Sequence, residues 1–171
     1  MFGWLRETRC QAVGPERLIY LDETGINSTD VVQHGWSYRG QRCRAQKSGG
    51  YGQRLSIIAA IASHQPDQLI EPFYYAGTCN RQLFEQWLEQ LCKSLPKVSH
   101  YLILDNASFH KGGEIEAIVR RYGHVLMYLP AYSPELNPIE HCWPILKRRV
   151  RKLLTAGVTL VSAVEQVICS L

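Results

Sequence analysis

Short apolar runs alternate with amphipathic segments along most of the chain. Residues 17–23 form the first apolar run, which ends in two acids, and continuous runs over 55–62 and 69–75 flank a turn at 64–67. Runs of this length and character are typical of buried strands. The two that flank the turn predict an antiparallel hairpin. Further strands are predicted over 101–104 and 125–129.

Between these strands, apolar residues recur with helical spacing. Asn80 can cap a helix over 81–95, in which leucine or tryptophan recurs at every fourth position before Pro96 ends the helix. Three more helices are predicted, over 113–121, from about Pro138 and over 159–170.

The order of these elements indicates an α/β fold. Antiparallel strands come first and helices then alternate with strands, which predicts right-handed crossovers onto a mixed sheet flanked by helices. Residues 1–16 show no clear periodicity and are expected to form an N-terminal extension to a single domain over 17–171. Residues 33–43 are expected to form a strand or hairpin, and 47–52 a glycine-rich turn.

Composition narrows the class of protein without defining its function. The 171 residues are 46% hydrophobic and 20% charged, which suits one folded domain with a buried core. The net charge of +4 is a weak indication of an anionic partner. No run approaches the roughly 20 apolar residues of a membrane helix, and the N-terminus is charged where a signal peptide is apolar. We therefore expect a soluble, cytoplasmic protein.

The six cysteines show no C-x-x-C spacing of the kind that zinc sites use. Isolated buried thiols in a reducing compartment are the expected interpretation. A zinc protein built from His110, His141 and Cys142 is kept as an alternative.

Three acids are predicted at the carboxyl edge of the sheet. Asp22 lies at the predicted end of the first strand, Asp105 at the end of a later parallel strand, and Glu140 in the first turn of the following helix. Ligands of open α/β sheets bind at this edge. Carboxylates that meet there repel one another unless a cation joins them, and hard oxygen ligands select Mg²⁺ or Mn²⁺. Two such ions can support phosphodiester displacement.

Each acid also has a purely structural interpretation. Asp22 and Asp105 could be polar strand ends, and Glu140 could complete a capping box with Asn137 as N-cap. Glu23 adjoins Asp22, and side chains alternate faces along a strand, so only one of the two can join the cluster. We favour Asp22 and keep Glu23 as an alternative ligand or a supporting residue.

The residues around these acids resemble the catalytic domain of DDE-type transposases of the IS630/Tc1/mariner superfamily, most closely its IS630 branch. Three motifs carry the resemblance: LDETG at 21–25, LDNASFH at 104–110 and LPAYSPELNPIEHCW at 129–143. Between Asp105 and Glu140 lie 34 residues, the spacing for which the superfamily is named. The resemblance extends from residue 17 to about residue 152.

This resemblance implies an RNase H-like fold and a transposase that performs metal-dependent DNA cleavage and strand transfer. It assigns Asp22, Asp105 and Glu140 to a triad that binds two Mg²⁺ or Mn²⁺ ions. Asn106 and His110 fall near that triad, as hydrogen-bonding supports or as packing residues. The implied partners are transposon-end and target DNA, bound by a dimer, which would make the protein nucleoid-associated.

Complete members of the superfamily carry helix-turn-helix modules before the catalytic domain, whereas the first acid here is residue 22. We therefore expect either the downstream half of a split or frameshifted transposase, with a separately encoded helix-turn-helix segment, or a truncated remnant. Two alternatives stay open: an RNase H-like nuclease without strand transfer, and an inactive remnant that only binds DNA.

The helix after Glu140 is strongly basic. Its five cations are expected to contact DNA phosphates without reading sequence, the alternative being a solvated face; they are Lys147, Arg148, Arg149, Arg151 and Lys152. The same helix carries an apolar stripe that is expected to be buried, formed by Ile145, Leu146, Val150, Leu153 and Leu154.

Three further predictions concern residues near this helix and earlier in the chain. Trp143 is assigned to the core. Pro144 is expected to kink the helix that bears Glu140. A second basic group is predicted on a loop and comprises Arg39, Arg42, Arg44 and Lys47.

Overall fold

A computed structural model describes residues 14–30, 37–41, 52–105 and 113–171. The strands are β1 (Leu18–Asn27), β2 (Arg54–Ala62), β3 (Gln65–Ala76), β4 (Tyr101–Leu104) and β5 (Val125–Tyr128). The helices are α1 (Arg81–Ser94), α2 (Gly113–Arg121), α3 (Cys142–Thr155) and α4 (Leu160–Ile168). Short 3-10 turns precede β1 and α3, at Pro15–Arg17, Pro134–Leu136 and Pro138–His141.

The five strands form one mixed sheet in the order β3-β2-β1-β4-β5. β1, β2 and β3 pair antiparallel, whereas β4 and β5 run parallel to β1. The predicted hairpin of β2 and β3 is confirmed, and so is the mixed sheet with helical crossovers. β1 lies at the centre, where the antiparallel half of the sheet meets the parallel half.

Helices cover both faces of the sheet, because side chains of β1 alternate between two separate cores. Leu18 and Tyr20 pack with α3 and α4 in one core. Ile19 and Leu21 pack with α1 and α2 in the other. Asn80 caps α1 as predicted, and its side chain accepts a hydrogen bond of 2.9 Å from the backbone N–H of Leu83. None of the helices in the described part of the chain has the length and apolar character that crossing a membrane requires.

Several element boundaries differ from those predicted. β1 continues four residues past Glu23, because β2 pairs with it as far as Asn27 opposite Arg54. Asp22 therefore lies within β1 and not at its end. β3 starts at Gln65, which makes the turn before it shorter than predicted. The basic helix starts at Cys142, four residues after Pro138, because a 3-10 turn occupies the interval.

The predicted strand or hairpin at 33–43 and turn at 47–52 lie largely outside the described residues. The described part, 37–41, forms a turn in which Gln41 N–H donates to the Tyr38 carbonyl oxygen at 2.9 Å. In the second basic group, Arg39 is exposed on this turn, and the other three residues lie outside the described ranges.

The cysteines described are free thiols, as expected, but their burial varies. Cys92 is buried in the core, Cys79 and Cys142 are half-buried, and Cys169 is exposed. The expectation of burial is wrong for Cys169 because it follows the last turn of α4 at the protein surface.

Pro144 lies in the first turn of α3, where no kink is expected, so the reason for the predicted kink does not hold. It is the third residue of the helix, and Glu140 belongs to the preceding 3-10 turn. The first four N–H groups of an α-helix have no partner inside the helix, so a proline there removes no hydrogen bond. The predicted loss of a hydrogen bond to the carbonyl of residue 140 therefore does not apply.

Replacing Pro144 by alanine should not stabilise the protein. We expect Pro144→Ala to leave the free energy of unfolding unchanged or to lower it by up to about 1 kcal/mol, because alanine gives the unfolded chain more freedom. Urea unfolding measures the change. Pro96→Ala, which replaces a proline outside any helix, is the control. A gain of about 3 kcal/mol specific to Pro144→Ala would instead indicate a strained, kinked helix.

Candidate active site

Asp22 and Asp105 come from neighbouring parallel strands at the same level. β1 and β4 pair with Leu18 opposite Tyr101 and Tyr20 opposite Ile103. Two residues further along each strand direction, the same register places Asp105 opposite Asp22. Adjacent strands are about 4.8 Å apart, and residues at matching positions of parallel strands face the same side of the sheet. The strand pairing therefore brings together two acids that are 83 positions apart in the sequence.

Glu140 reaches the same region from the 3-10 turn before α3. This turn is anchored on the sheet by Ile139, which is fully buried among core residues that include Tyr20 and Ile103. The Asn137 side chain also donates to the Leu21 carbonyl oxygen at 3.5 Å. Glu140 follows these anchors and is exposed. The capping box that was the structural alternative for Glu140 is not formed, because the side chain of Asn137 makes no cap hydrogen bond.

A cleft of about 410 Å³ opens beside these acids. Asp105, Asn137 and Glu140 line it together with the loop that follows β5, residues 129–134. Asp22 is not among the lining residues; it is half-buried beside the cleft. The cleft therefore offers one apolar wall from the loop and one acidic wall.

The environment of Asp22 disfavours its negative charge. Burial, and to a smaller extent the charges of Glu140 and Asp105, raise the pKa of Asp22 to about 7. Two hydrogen bonds act in the opposite direction, from the Trp143 side chain and the Glu23 backbone. Trp143 Nε1 donates to Asp22 Oδ2 at 2.7 Å. The hydrogen bond therefore fixes Oδ2 of Asp22. The surroundings still do not stabilise the negative charge of this carboxylate, because its pKa stays raised.

The donor chemistry of the site fits a divalent cation. Glu140 and Asp105 lie close enough to affect the charge of Asp22, and all three carboxylates offer hard oxygen atoms of the kind that Mg²⁺ and Mn²⁺ bind. Asn137 adds a carboxamide oxygen, Oδ1, which is buried and has no hydrogen-bond partner among the described residues. A buried oxygen without a donor is costly, and a cation or a substrate N–H would satisfy it.

The carboxylates are not drawn together into a closed metal site. Within the described ranges, no three His, Cys, Asp or Glu side chains converge closely enough to hold a metal ion. Like charges repel, and Glu140 has an exposed side chain that is free to turn toward the other two. Asp22, Asp105 and Glu140 are therefore near neighbours that do not converge on one point in this structure.

Glu23 faces away from this site. The Tyr75 hydroxyl donates to Glu23 Oε2 at 3.4 Å, and Glu23 and Cys79 line a separate shallow cleft of about 240 Å³. Alternation along β1 explains the separation, because Asp22 and Glu23 project from opposite faces of the sheet. Glu23 is thus placed as a contact of β3 and not as a partner of Asp105 or Glu140.

The other residues predicted near the site give no support for a zinc centre. Asn106 and His110 lie outside the described residues. His141 is exposed, and the Cys142 thiol donates to the Pro66 carbonyl oxygen at 3.0 Å. Cys142 therefore has an ordinary structural contact with the start of β3.

The basic helix presents its cations on different sides. Trp143, Leu146 and Val150 face the core, so the predicted buried stripe is largely confirmed, although Ile145 is 38% exposed.

Lys147 is half-buried on the side of the acids. Burial and the charge of Arg151 lower the pKa of Lys147, while Asp30, Glu140 and Asp22 act to raise it. Lys147 is therefore the cation of this helix that lies in the field of the acidic site.

Arg149 is placed apart from Lys147. It lines a second cleft of about 380 Å³, where Asp67, Cys142 and Leu171 are among its neighbours. Two residues along a helix correspond to a rotation of about 200°, which accounts for the separation. Arg148 and Lys152 are exposed between these two sides, and Arg151 follows Lys147 by one turn.

Two residues of the site were not identified from the sequence, Trp143 and Asn137. Trp143 is 3% exposed, as predicted for a core residue, but it also holds Asp22. A buried tryptophan usually needs an acceptor for its N–H, and this rule is the signal that could have linked Trp143 to a buried acid. The second residue, Asn137, was interpreted only as a helix cap.

Comparison with known proteins agrees with this geometry. Residues 17–157 match the family model described as DDE superfamily endonuclease. The Tcb1 transposase of Caenorhabditis briggsae is 34% identical over 145 residues, which cover 78% of this chain and 51% of that protein. This chain thus spans about half the length of that curated relative.

Two solved structures have similar folds. The Mos1 mariner paired-end complex with Mn superposes with a TM-score of 0.66 at 16% identity, covering 98% of this chain and 59% of that chain. The catalytic core domain of BIV integrase gives a TM-score of 0.55 at 14% identity, covering 91% of this chain and 83% of that chain. The expected RNase H-like fold is confirmed.

The fold places the chain in the RNase H-like class. Within that class, the chain belongs to the DDE superfamily endonucleases.

Trp143→Phe should weaken binding of a divalent cation without unfolding the protein. Phenylalanine keeps the buried ring but removes the N–H that fixes Asp22 Oδ2. Loss of a partner that orients a metal ligand typically costs roughly 10- to 100-fold in metal affinity. Calorimetric titration with Mn²⁺ measures the change.

Trp87→Phe is the matched control. Trp87 is also a buried tryptophan, and its Nε1 donates to the Glu71 carbonyl oxygen at 2.7 Å on the other face of the sheet. This variant should lose a comparable hydrogen bond and keep its Mn²⁺ affinity. Equal Mn²⁺ affinities for Trp143→Phe and the unmodified protein would contradict the role given to Trp143.

Proposed function

We propose that this chain cleaves DNA phosphodiester bonds with the help of two Mg²⁺ or Mn²⁺ ions and then joins the freed 3′ end to target DNA. The observation that supports the proposal most directly is the shared level of Asp22 on β1 and Asp105 directly after β4, beside a cleft lined by Glu140. Phosphodiester displacement needs such hard oxygen ligands next to an open space for the substrate.

The proposed roles follow from where the side chains lie. Asp22 and Asp105 would hold the ions from the rigid sheet, and Glu140 would complete the site from its exposed position. When bound, the ions would favour deprotonation of the attacking water or hydroxyl and offset the charge on the leaving oxygen. Trp143 would keep one oxygen of Asp22 in place. The nucleophile would be water for cleavage and the freed 3′-hydroxyl for strand transfer.

Lys147 is proposed to bind a DNA phosphate next to the acids. No carboxylate of the described residues forms an ion pair with any of the five cations of α3. The surface proposed to bind DNA comprises Lys147, Arg148, Arg151 and Lys152, and it excludes Arg149, which faces the second cleft. The proposed partners are transposon-end DNA and target DNA, bound by a dimer of the protein.

The first test of the function is nicking of supercoiled plasmid DNA in the presence of Mn²⁺. We expect Asp105→Asn to lower the rate at least roughly 100-fold, because an electrostatic group that acts on the reacting atoms is lost. Glu135→Gln is the control, since Glu135 is an exposed acid in the neighbouring 3-10 turn that does not line the cleft. Equal rates for the unmodified protein and Asp105→Asn would exclude this active site.

The same preparations distinguish transposase chemistry from simple hydrolysis. A duplex oligonucleotide with a free 3′-hydroxyl is incubated with a target plasmid, and joined products are separated by size. Joined products that depend on Asp105 support strand transfer. Nicked plasmid without joined products would instead indicate an RNase H-like nuclease, and binding without either product an inactive remnant.

The second test concerns the DNA-binding surface. We expect Lys147→Gln to weaken binding of duplex DNA and to reduce the salt slope of the binding constant by about one, because one phosphate contact is lost. Arg149→Gln removes the same charge from the other side of α3 and should leave the slope unchanged. Fluorescence anisotropy at several salt concentrations measures both. Equal slopes for the two variants would contradict the placement of DNA along Lys147.

A further inference from the structure

Tyr132 presents an unpartnered aromatic ring at the proposed active site. It lines the same cleft as Asp105 and Glu140, and the residue is fully exposed, at 101%. Tyrosine is ordinarily at least partly buried, because its ring is apolar. Tyr132 makes no hydrogen bond or ring contact with any of the described residues. A large apolar ring is therefore held in solvent where the substrate is proposed to bind.

The backbone of Tyr132 is strained, which indicates that its position is imposed by the loop. Its φ is +59°, a left-handed value that residues other than glycine rarely adopt. Such strain persists only where the surrounding structure enforces it, and it is concentrated at functional sites. The exposed ring and the strained backbone occur at the same residue, and neither contributes to the core.

The loop that carries Tyr132 is anchored on both sides. Before it, Leu129 is buried and its N–H donates to the Leu104 carbonyl oxygen at 2.8 Å. After it, Leu136 N–H donates to the Ser133 carbonyl oxygen at 3.1 Å. Pro130 and Pro134 restrict φ on either side of the tyrosine. The ring is thus presented from a constrained loop.

The cleft has the dimensions of a small-molecule site and not of a DNA duplex. Its volume of about 410 Å³ lies in the range of pockets that hold one small ligand. Its acidic wall suits cation-bridged phosphate, and its other wall is apolar, formed by Leu129, Pro130, Ala131 and Pro134. One nucleotide of a locally separated strand matches both walls, with its phosphate at the acids and its base along the loop.

We propose that Tyr132 is a stacking platform for a nucleobase that leaves the duplex beside the phosphate being cleaved. This inference rests on the proposed function, because it requires DNA in the cleft. Aromatic side chains bind unstacked bases of any sequence through their faces. Enzymes that do chemistry on a base take that nucleotide out of the stack, so a protein pocket can hold an extruded base. The platform would stabilise the opened strand and keep the phosphate at the acids.

Two substitutions at Tyr132 separate the ring from the loop. Tyr132→Asn removes the ring, and asparagine tolerates a left-handed backbone, so the loop should keep its conformation. Tyr132→Phe keeps the ring and removes only the hydroxyl. Both variants should unfold thermally within a few degrees of the unmodified protein. Tyr38→Asn is the control for general loss of an exposed tyrosine, since Tyr38 is 85% exposed and does not line the cleft.

The probe is a DNA duplex with a short single-stranded 3′ overhang that carries 2-aminopurine. A matched set of probes replaces each overhang base in turn by an abasic site. The unmodified protein, Tyr132→Phe and Tyr38→Asn should quench the 2-aminopurine fluorescence. They should also bind the complete probe roughly tenfold more tightly than one of the abasic probes. Tyr132→Asn should lose the quenching and bind both kinds of probe with the affinity that the unmodified protein shows for the abasic one.

Two results would contradict the stacking role of Tyr132 and leave the proposed function intact. In the first, Tyr132→Asn retains the preference for the complete probe. In the second, the unmodified protein binds DNA but shows no preference for a base at any overhang position. If the unmodified protein binds none of the probes, the proposed function fails together with the platform.

Discussion

The parallel pairing of β1 with β4 is the contact on which the rest of the site depends. β1 is buried on both faces and joins the antiparallel half of the sheet to the parallel half. Because β4 stops at Leu104 while β1 continues to Asn27, the end of β4 falls beside the middle of β1. The main-chain register therefore places Asp105 level with Asp22. The packing of α3 on the sheet then determines which further side chains lie near these two acids.

The acidic site is a place where the fold tolerates unfavourable electrostatics. A half-buried aspartate with its pKa raised to about 7 is a poor contribution to stability at neutral pH. Trp143 reduces the cost through its hydrogen bond to Asp22, and Lys147 lies in the field of the same acids. Strained or electrostatically costly residues are commonly found where activity requires them. The same argument applies to Tyr132, whose ring and backbone are both unfavourable in the isolated chain.

The residues of the candidate active site come from two kinds of structure, the sheet and the loop and 3-10 turns that follow it. Asp22 belongs to the central strand β1 and Asp105 directly follows β4, and the neighbours of both strands are close-packed on both faces. Glu140, Asn137 and Tyr132 belong to the loop and 3-10 turns between β5 and α3, which are anchored by Leu129 and Ile139. In such a division the scaffold sets the position of the chemistry and the loops contact the substrate.

The sequence by itself determined most of the element order and the mixed sheet flanked by helices, because these depend on local periodicity. It also singled out Asp22, Asp105 and Glu140 as candidate ligands through three motifs. It also placed Trp143 in the core. The boundaries at β1 and α3 were missed, since pairing partners and a 3-10 turn decide where those elements begin and end. The separation of Glu23 from Asp22 followed from strand alternation, but its contact with Tyr75 did not.

Only the tertiary structure decided how the chemistry-bearing side chains are grouped. The hydrogen bond from Trp143 to Asp22 joins residues 121 positions apart, and no local pattern encodes such a contact. In the sequence, the five cations of α3 form one basic run. In the folded chain, the packing of the helix places Lys147 on the side of the acids and Arg149 on the other side. Burial, register and helix rotation are properties of the folded chain, and they assign each of these residues its neighbours.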